Sequence, residues 1–189
     1  MINYKKINLR CLDNLKSYVV NQIKDLLLPT GRLTVVTTFV FTLPDKLLKI
    51  INEELSSYSI SNIEYCRVYL WKKGSVQTPH VDGSDEVLHC SINIPLHGGE
   101  NSTFRWYSGD YDLKLVDIGK NQKAYVVNWN SSPYITESIE IKDGCYLVRI
   151  DQPHQAIASA DSDRWVFTMR FKGNPAFEEL YDKLPASNV

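Results

Sequence analysis

Arg164-Trp165-Val166-Phe167-Thr168-Met169-Arg170-Phe171-Lys172 is the stretch that decides how this chain folds. Successive side chains of a strand point to opposite faces, so Trp165, Phe167, Met169 and Phe171 share one face and oppose Arg164, Thr168 and Arg170. The same alternation occurs twice upstream. In 87–95, Leu88, Cys90, Ile92 and Ile94 oppose His89, Ser91 and Asn93. In 63–71, Cys66, Val68 and Leu70 oppose Tyr65, Arg67, Tyr69 and Trp71. Three strands with one face in water are the plain explanation. Solvent faces are usually richer in Lys and Glu than in Arg and aromatics, which favours polar faces turned into a barrel mouth and apolar faces covered by helices. A polar interior implies a site.

The residues around these strands supply the covering helices. Leu12, Leu15, Val19, Ile23, Leu26 and Leu27 recur at helical spacing in 11–28, and Pro29-Thr30-Gly31 ends the run. A strand is expected at about 32–42, then a helix from Pro44-Asp45 to about Ser57 with Leu47, Leu48, Ile51 and Leu55 on one face. Short strands are expected at about 62–71, 76–82, 87–95, 102–107, 123–128, 135–141, 144–151 and 164–172. Phe177, Leu180, Tyr181 and Leu184 predict a docked final helix within about 175–185. Strands after a helical lead-in suggest a mainly β barrel or jelly roll with helices packed outside, on the larger sheet. The whole of 1–189 reads as a single domain, with a helical lead-in over about 1–60 and a β core over about 61–172.

Composition narrows the class. Of 189 residues, 43% are hydrophobic and 23% charged, which excludes wholesale disorder. Lys plus Arg number 21 against 22 Asp plus Glu, so the broad positive field of sequence-independent nucleic-acid binding is missing. No apolar leader and no membrane-length apolar run is visible. Cys11, Cys66, Cys90 and Cys145 form no Cys-x-x-Cys pair and sit in or beside apolar segments. Buried free thiols in a cytoplasm, of a cell or of a virus-infected cell, are the expectation.

The chemistry begins at His80-Val81-Asp82. In a strand both side chains project the same way and can ligate one ion. His154 follows in Asp151-Gln152-Pro153-His154. Two imidazoles and one carboxylate make the facial triad suited to Fe(II), with three positions left for substrate and oxygen; a thiolate-rich set would have argued for zinc. Arg164, ten positions on, is expected on a strand next to the one that carries His154. A guanidinium deep in a barrel needs an anionic partner, and a dicarboxylate that chelates the metal at its other end would supply one. Pairing of Arg164 with Asp161 or Asp163 at the surface is the competing explanation.

Trp71-Lys72-Lys73-Gly74, Pro79-His80-Val81-Asp82, His154 and Arg164 together resemble the iron- and 2-oxoglutarate-dependent dioxygenases, over about residues 62–172. Within them, Gly74-Ser75, Pro79-His80, Leu88-His89 and Ile94-Pro95 are most similar to the aspartyl/asparaginyl β-hydroxylase-like branch, with prolyl-hydroxylase-like members second. The resemblance implies a double-stranded β-helix. It implies that His80, Asp82 and His154 hold Fe(II), that Arg164 binds the distal carboxylate of 2-oxoglutarate, and that O2 is consumed as 2-oxoglutarate becomes succinate and a substrate is hydroxylated. Two positions depart from the family pattern. His89 stands where the β-hydroxylase-like branch often has a cosubstrate-binding arginine, and Gln77 where prolyl-hydroxylase-like enzymes usually place a tyrosine on the cosubstrate.

His89 and Asn93 are candidates for the cosubstrate pocket, with satisfied interior polar residues as the competing explanation, and Arg67, Trp71, Arg105 and Trp106 for the substrate pocket, with core packing and surface pairing competing for each. The polar stretches 107–123 and 128–134 read as solvated loops near the mouth that could cover substrate. An amino acid, a peptide side chain or a small metabolite is the expected substrate. The opposing reading is a non-catalytic jelly-roll or cupin-like binding module with a structural or vestigial metal site.

Overall fold

The computed structural model describes residues 2–27, 36–83, 86–119 and 122–187. Along the chain run β1 (Tyr4–Ile7), α1 (Leu12–Leu27), β2 (Val36–Phe41), α2 (Asp45–Ser57), β3 (Ile63–Trp71), β4 (His80–Val81) and β5 (Cys90–His97). There follow β6 (Thr103–Ser108), β7 (Tyr111–Gly119), β8 (Gln122–Trp129), β9 (Tyr134–Glu140), β10 (Cys145–Arg149), β11 (His154–Ile157), β12 (Arg164–Phe171) and α3 (Phe177–Lys183). Two antiparallel sheets result, ordered β1-β10-β5-β12-β3-β2 and β7-β8-β4-β11-β6-β9. They face each other as a jelly roll.

The alternation in β12 becomes two cores. Phe167, Met169 and Phe171 point outward into an apolar layer shared with Leu15, Val19 and Ile23 of α1 and with Ile51 and Leu55 of α2. Leu15, Val19 and Ile23 recur every fourth residue, which puts them on one stripe of α1. Asp13 in its first turn and Lys24 in its last suit the helix dipole. Phe177 and Leu180 of α3 close the same layer. On the other face of β12, Val166 joins Trp71, Phe104, Trp106, Tyr146 and Val148 between the sheets. All four cysteines are free and buried. Among the described residues no helix is long and apolar enough to cross a membrane.

Several elements differ from the expectation. The lead-in contains β1, which pairs with β10 at the edge of a sheet; two lysines in four residues hide a strand whose formation depends on that partner. Much of 107–123 is β7, paired along its length with β8. As an edge strand it has one ladder partner and leaves Asp112 to Leu115 exposed, so its composition reads as loop. The strand expected over 76–82 shrinks to His80–Val81, with Val76 held by a single bridge to Ile157. Part of the strand expected at 32–42 lies outside the described residues. The helices do pack on one sheet, but each sheet has six strands, so that sheet is not the larger by strand number.

Candidate metal centre

β4 lies between β11 and β8, with His80 the register partner of His154 on one side and of Val126 on the other. Residues opposite each other in a ladder project to the same face, so both imidazoles turn inward, with ring centroids 4.4 Å apart. Asp82, one residue beyond β4, is fixed by its own backbone: its N–H donates to the Ile150 carbonyl at 3.1 Å and its carbonyl accepts from Leu88 N–H at 2.9 Å. One ligand atom from each of His80, Asp82 and His154 lies within 4.8 Å of the others.

Both imidazoles are held in the same tautomer. His80 Nδ1–H donates to the Thr78 carbonyl and His154 Nδ1–H to the Gln152 carbonyl, each at 2.9 Å and each two residues back. A carbonyl only accepts, so in the neutral rings Nε2 carries the lone pair. These Nε2 atoms stand 3.2 and 3.8 Å from Asp82 Oδ1. Lone pairs converging on a carboxylate call for a cation between them. A borderline divalent ion such as Fe(II) fits this donor set.

Protonation follows the same arrangement. Burial opposes charge on His154, the neighbouring His80 adds to it, and its pKa falls to about 3. For His80 burial acts the same way, but the hydrogen bond and charge of Asp82 outweigh it and the pKa rises above 6.5. Burial also opposes ionisation of Asp82; Arg170 first, and then the imidazoles, hold it well below the usual carboxylate range. Phe104 stacks on the His154 ring, the centroids 5.1 Å apart.

Arg164 and Arg170 enter the same cavity from β12. Arg164 is 1% exposed, and its guanidinium lies 4.9 Å over the ring of Trp71, its register partner. Among the described residues its buried Nε and Nη1 have no hydrogen-bond partner, and burial lowers its pKa to about 10. Among the described residues it forms no ion pair with Asp161 or Asp163; Asp163 instead accepts from the backbone N–H of Lys73. An orphaned guanidinium aimed into a cavity beside a metal-type triad fits a carboxylate-bearing cosubstrate. Its strand is not next to the one carrying His154: β12 and β11 belong to opposite sheets, and the two side chains line one cavity.

Arg170 received no role from the sequence, although its position on the polar face of β12 was legible. Its Nη2 donates to Asp82 Oδ2, while its buried Nη1 has no hydrogen-bond partner among the described residues. Burial opposes its charge, yet Asp82, Tyr69 and Tyr65 raise its pKa above the ordinary value. Tyr69, Gln77, Phe104 and Thr168 also line the cavity, as do Trp71 and Asn93 among the expected residues. Asn93 accepts from the Ser91 hydroxyl at 3.1 Å.

The remaining candidates lie elsewhere. His89 Nδ1 pairs with Asp151 at 3.1 Å, with 41% of the side chain exposed. Arg67 lies over the Tyr65 ring at 5.2 Å. Arg105 pairs with Gln155, next to His154 in sequence and therefore on the opposite face of the sheet. Trp106 is fully buried, donates from Nε1 to the Arg149 carbonyl and stacks on Tyr4. None of these four lines the cavity.

No protein-family model matches the chain, and no curated protein matches it in sequence. Solved structures resemble it in fold. A Pseudomonas putida prolyl-4-hydroxylase superposes with a TM-score of 0.52 at 16% identity, covering 89% of this chain and 90% of that one. The viral collagen prolyl hydroxylase of Paramecium Bursaria Chlorella virus-1, in its 2-oxoglutarate (2OG) complex, gives 0.53 at 15% identity, covering 89% and 94%. At such identities the likeness is one of fold. It falls on prolyl hydroxylases, the second of the two branches suggested by the sequence; the aspartyl/asparaginyl branch gains no support from it.

Proposed function

We propose that this chain is an Fe(II)- and 2-oxoglutarate-dependent dioxygenase that hydroxylates an amino acid, a peptide side chain or a small metabolite. The observation that carries the reading is Arg164, buried with unpartnered Nε and Nη1 in the cavity that also holds the His80, Asp82 and His154 ligand atoms. His80 and His154 would hold the ion through Nε2, and Asp82 through its carboxylate. Bound there, the ion and 2-oxoglutarate would supply the oxidising chemistry: one oxygen atom of O2 goes into the succinate that remains after 2-oxoglutarate loses CO2, and the other into the substrate. The chain's own contribution is positioning. Arg164 would grip the distal carboxylate, Arg170 keeps Asp82 ionised and oriented, and Trp71, Phe104 and Tyr69 keep water from the oxidant. No side-chain acid or base is required.

Among the substrate classes, the fold likeness to prolyl hydroxylases favours a peptide side chain. A reducing compartment such as the cytoplasm suits four buried free thiols. The test is succinate release in air from purified protein given Fe(II) and 2-oxoglutarate, with a panel of amino acids and proline-containing peptides. Release above background that is lost in His154→Ala supports the reading. Equal release from wild type and His154→Ala would leave a binding module in its place.

A further inference from the structure

Asn174 holds the segment that holds Asp82. Its Nδ2–H donates to the Val87 carbonyl at 2.9 Å, and its Oδ1 accepts the backbone N–H of His89 at 3.0 Å. Between those two residues lies Leu88, whose own N–H donates to the Asp82 carbonyl at 2.9 Å. A carbonyl only accepts and a backbone N–H only donates, so these partners leave the Asn174 amide a single orientation. The circuit closes through Ile150, whose N–H donates to the His89 carbonyl at 3.0 Å and whose carbonyl accepts the Asp82 N–H at 3.1 Å.

The segment 87–89 has need of such a support. β4 ends at Val81 and β5 begins at Cys90, so Asp82, Leu88 and His89 lie outside both ladders, and Gly83 meets Val87 in an isolated bridge. Gly83 has a φ of 142°, which favours glycine, and a Cβ there would stand 2.1 Å from the Glu86 carbonyl oxygen. The turn beyond the ligand is therefore tight, and on its returning arm the side-chain amide of Asn174 takes the place of a neighbouring strand. Asn174 itself stands in the turn after β12 with a φ of 47°, directly after Gly173 at 78°. Asparagine tolerates this left-handed conformation and carries a donor and an acceptor on one short stem. Earlier on the same stretch, Arg170 grips the Asp82 carboxylate. β12 and its turn thus reach one ligand twice, at the carboxylate and, through Leu88, at the backbone. The two imidazoles are held otherwise, each by a carbonyl two residues back.

Resting on the metal-centre reading, we infer that Asn174 is a positioning residue for Asp82: by fixing 87–89 it sets the backbone from which the carboxylate reaches the ion. Its effect falls on the carboxylate ligand and spares the imidazoles.

Mn(II) titration followed by electron paramagnetic resonance, and hydrogen exchange of the Leu88 amide in metal-free protein, test this. Asn174→Gly keeps the left-handed turn and removes both hydrogen bonds; it binds Mn(II) roughly tenfold more weakly, the cost of losing a group that orients a ligand, and its Leu88 amide exchanges faster. Asn174→Asp keeps the acceptor for His89 N–H without the donor to Val87, and weakens Mn(II) by roughly threefold. Cu(II) binds to two imidazoles without a carboxylate, so in Asp82→Ala protein the further change Asn174→Gly leaves Cu(II) affinity within about twofold. An Asn174→Gly protein with wild-type Mn(II) affinity overturns the inference alone. So does a Cu(II) affinity that falls as far as the Mn(II) affinity, since that marks a residue propping the whole site. Wild-type protein that binds no Mn(II) overturns the metal-centre reading, and the inference with it.

Discussion

Arg170 donates from Nη2 to Oδ2 of Asp82 at 2.5 Å, joining the last strand of one sheet to the carboxylate that follows β4 in the other, 88 residues apart in the chain. The guanidinium is 6% exposed and the carboxylate 21%. One ion pair thus ties the two sheets together at the candidate ligand.

Breaking that pair from one side should be costly. Arg170→Leu leaves Asp82 without its main counter-charge and is expected to lower stability by about 2–3 kcal/mol, because a mostly buried charge loses its partner. Asp82→Asn in the same background should restore part of the loss. Urea unfolding of the wild type and the two variants measures this; an Arg170→Leu protein as stable as wild type would contradict it.

Arg164 should behave in the opposite way. Among the described residues its buried charge has the Trp71 ring against it but no ion-pair partner, and Nε and Nη1 have no hydrogen-bond partner, so Arg164→Met removes a poorly compensated desolvation cost and is expected to leave the melting temperature unchanged or higher. The same variant should lose 2-oxoglutarate binding while retaining metal. Calorimetry and an anaerobic titration read the two effects separately. A large fall in melting temperature would assign Arg164 to the scaffold instead.

Trp106 and Arg105 should separate packing from binding. Trp106→Leu empties a fully buried site and strands the Arg149 carbonyl, for an expected loss of about 2–4 kcal/mol. Arg105→Ala, on the far face of its sheet, should leave metal and cosubstrate affinity at wild-type values. Weaker cosubstrate binding in Arg105→Ala would return that residue to the pocket.

The thiols give a pH dependence with a definite sign. Burial pushes Cys66 and Cys90 up to about 12 and Cys11 up to about 11, against an ordinary value of 9.0. Between 9.0 and those values the folded chain keeps protons that the unfolded chain has released. The stabilisation from these groups is therefore complete below pH 9 and declines as pH rises above it. Native protein at pH 8 should react slowly with a thiol reagent, whereas protein in denaturant should expose all four cysteines at once. Rapid labelling of the native chain would contradict the burial.

How much of this could be read from the sequence depends on how far each residue's neighbours determine it. β12 was legible because a strand buried on one face and lining a cavity on the other shows its period directly, and its register keeps that alternation over most of its length. β7 was not, because an edge strand with one partner need not be apolar. The triad could be recognised by residue type and spacing, but Arg170 could not, since only the topology brings it to Asp82. His89 was assigned inward on the alternation of 87–95, yet β5 begins at Cys90, and one residue outside the strand the alternation no longer applies. Trp106 read as a pocket aromatic because Tyr4, which stacks on it, belongs to a strand the sequence did not reveal.

The measurement closest to the central claim is the visible spectrum of the anaerobic protein as Fe(II) and then 2-oxoglutarate are added. A weak charge-transfer band that grows with 2-oxoglutarate, is absent in His154→Ala and requires far more 2-oxoglutarate in Arg164→Met is the expected result. A wild-type spectrum without the band at saturating 2-oxoglutarate would contradict the claim that His80, Asp82, His154 and Arg164 form a cosubstrate-binding iron site.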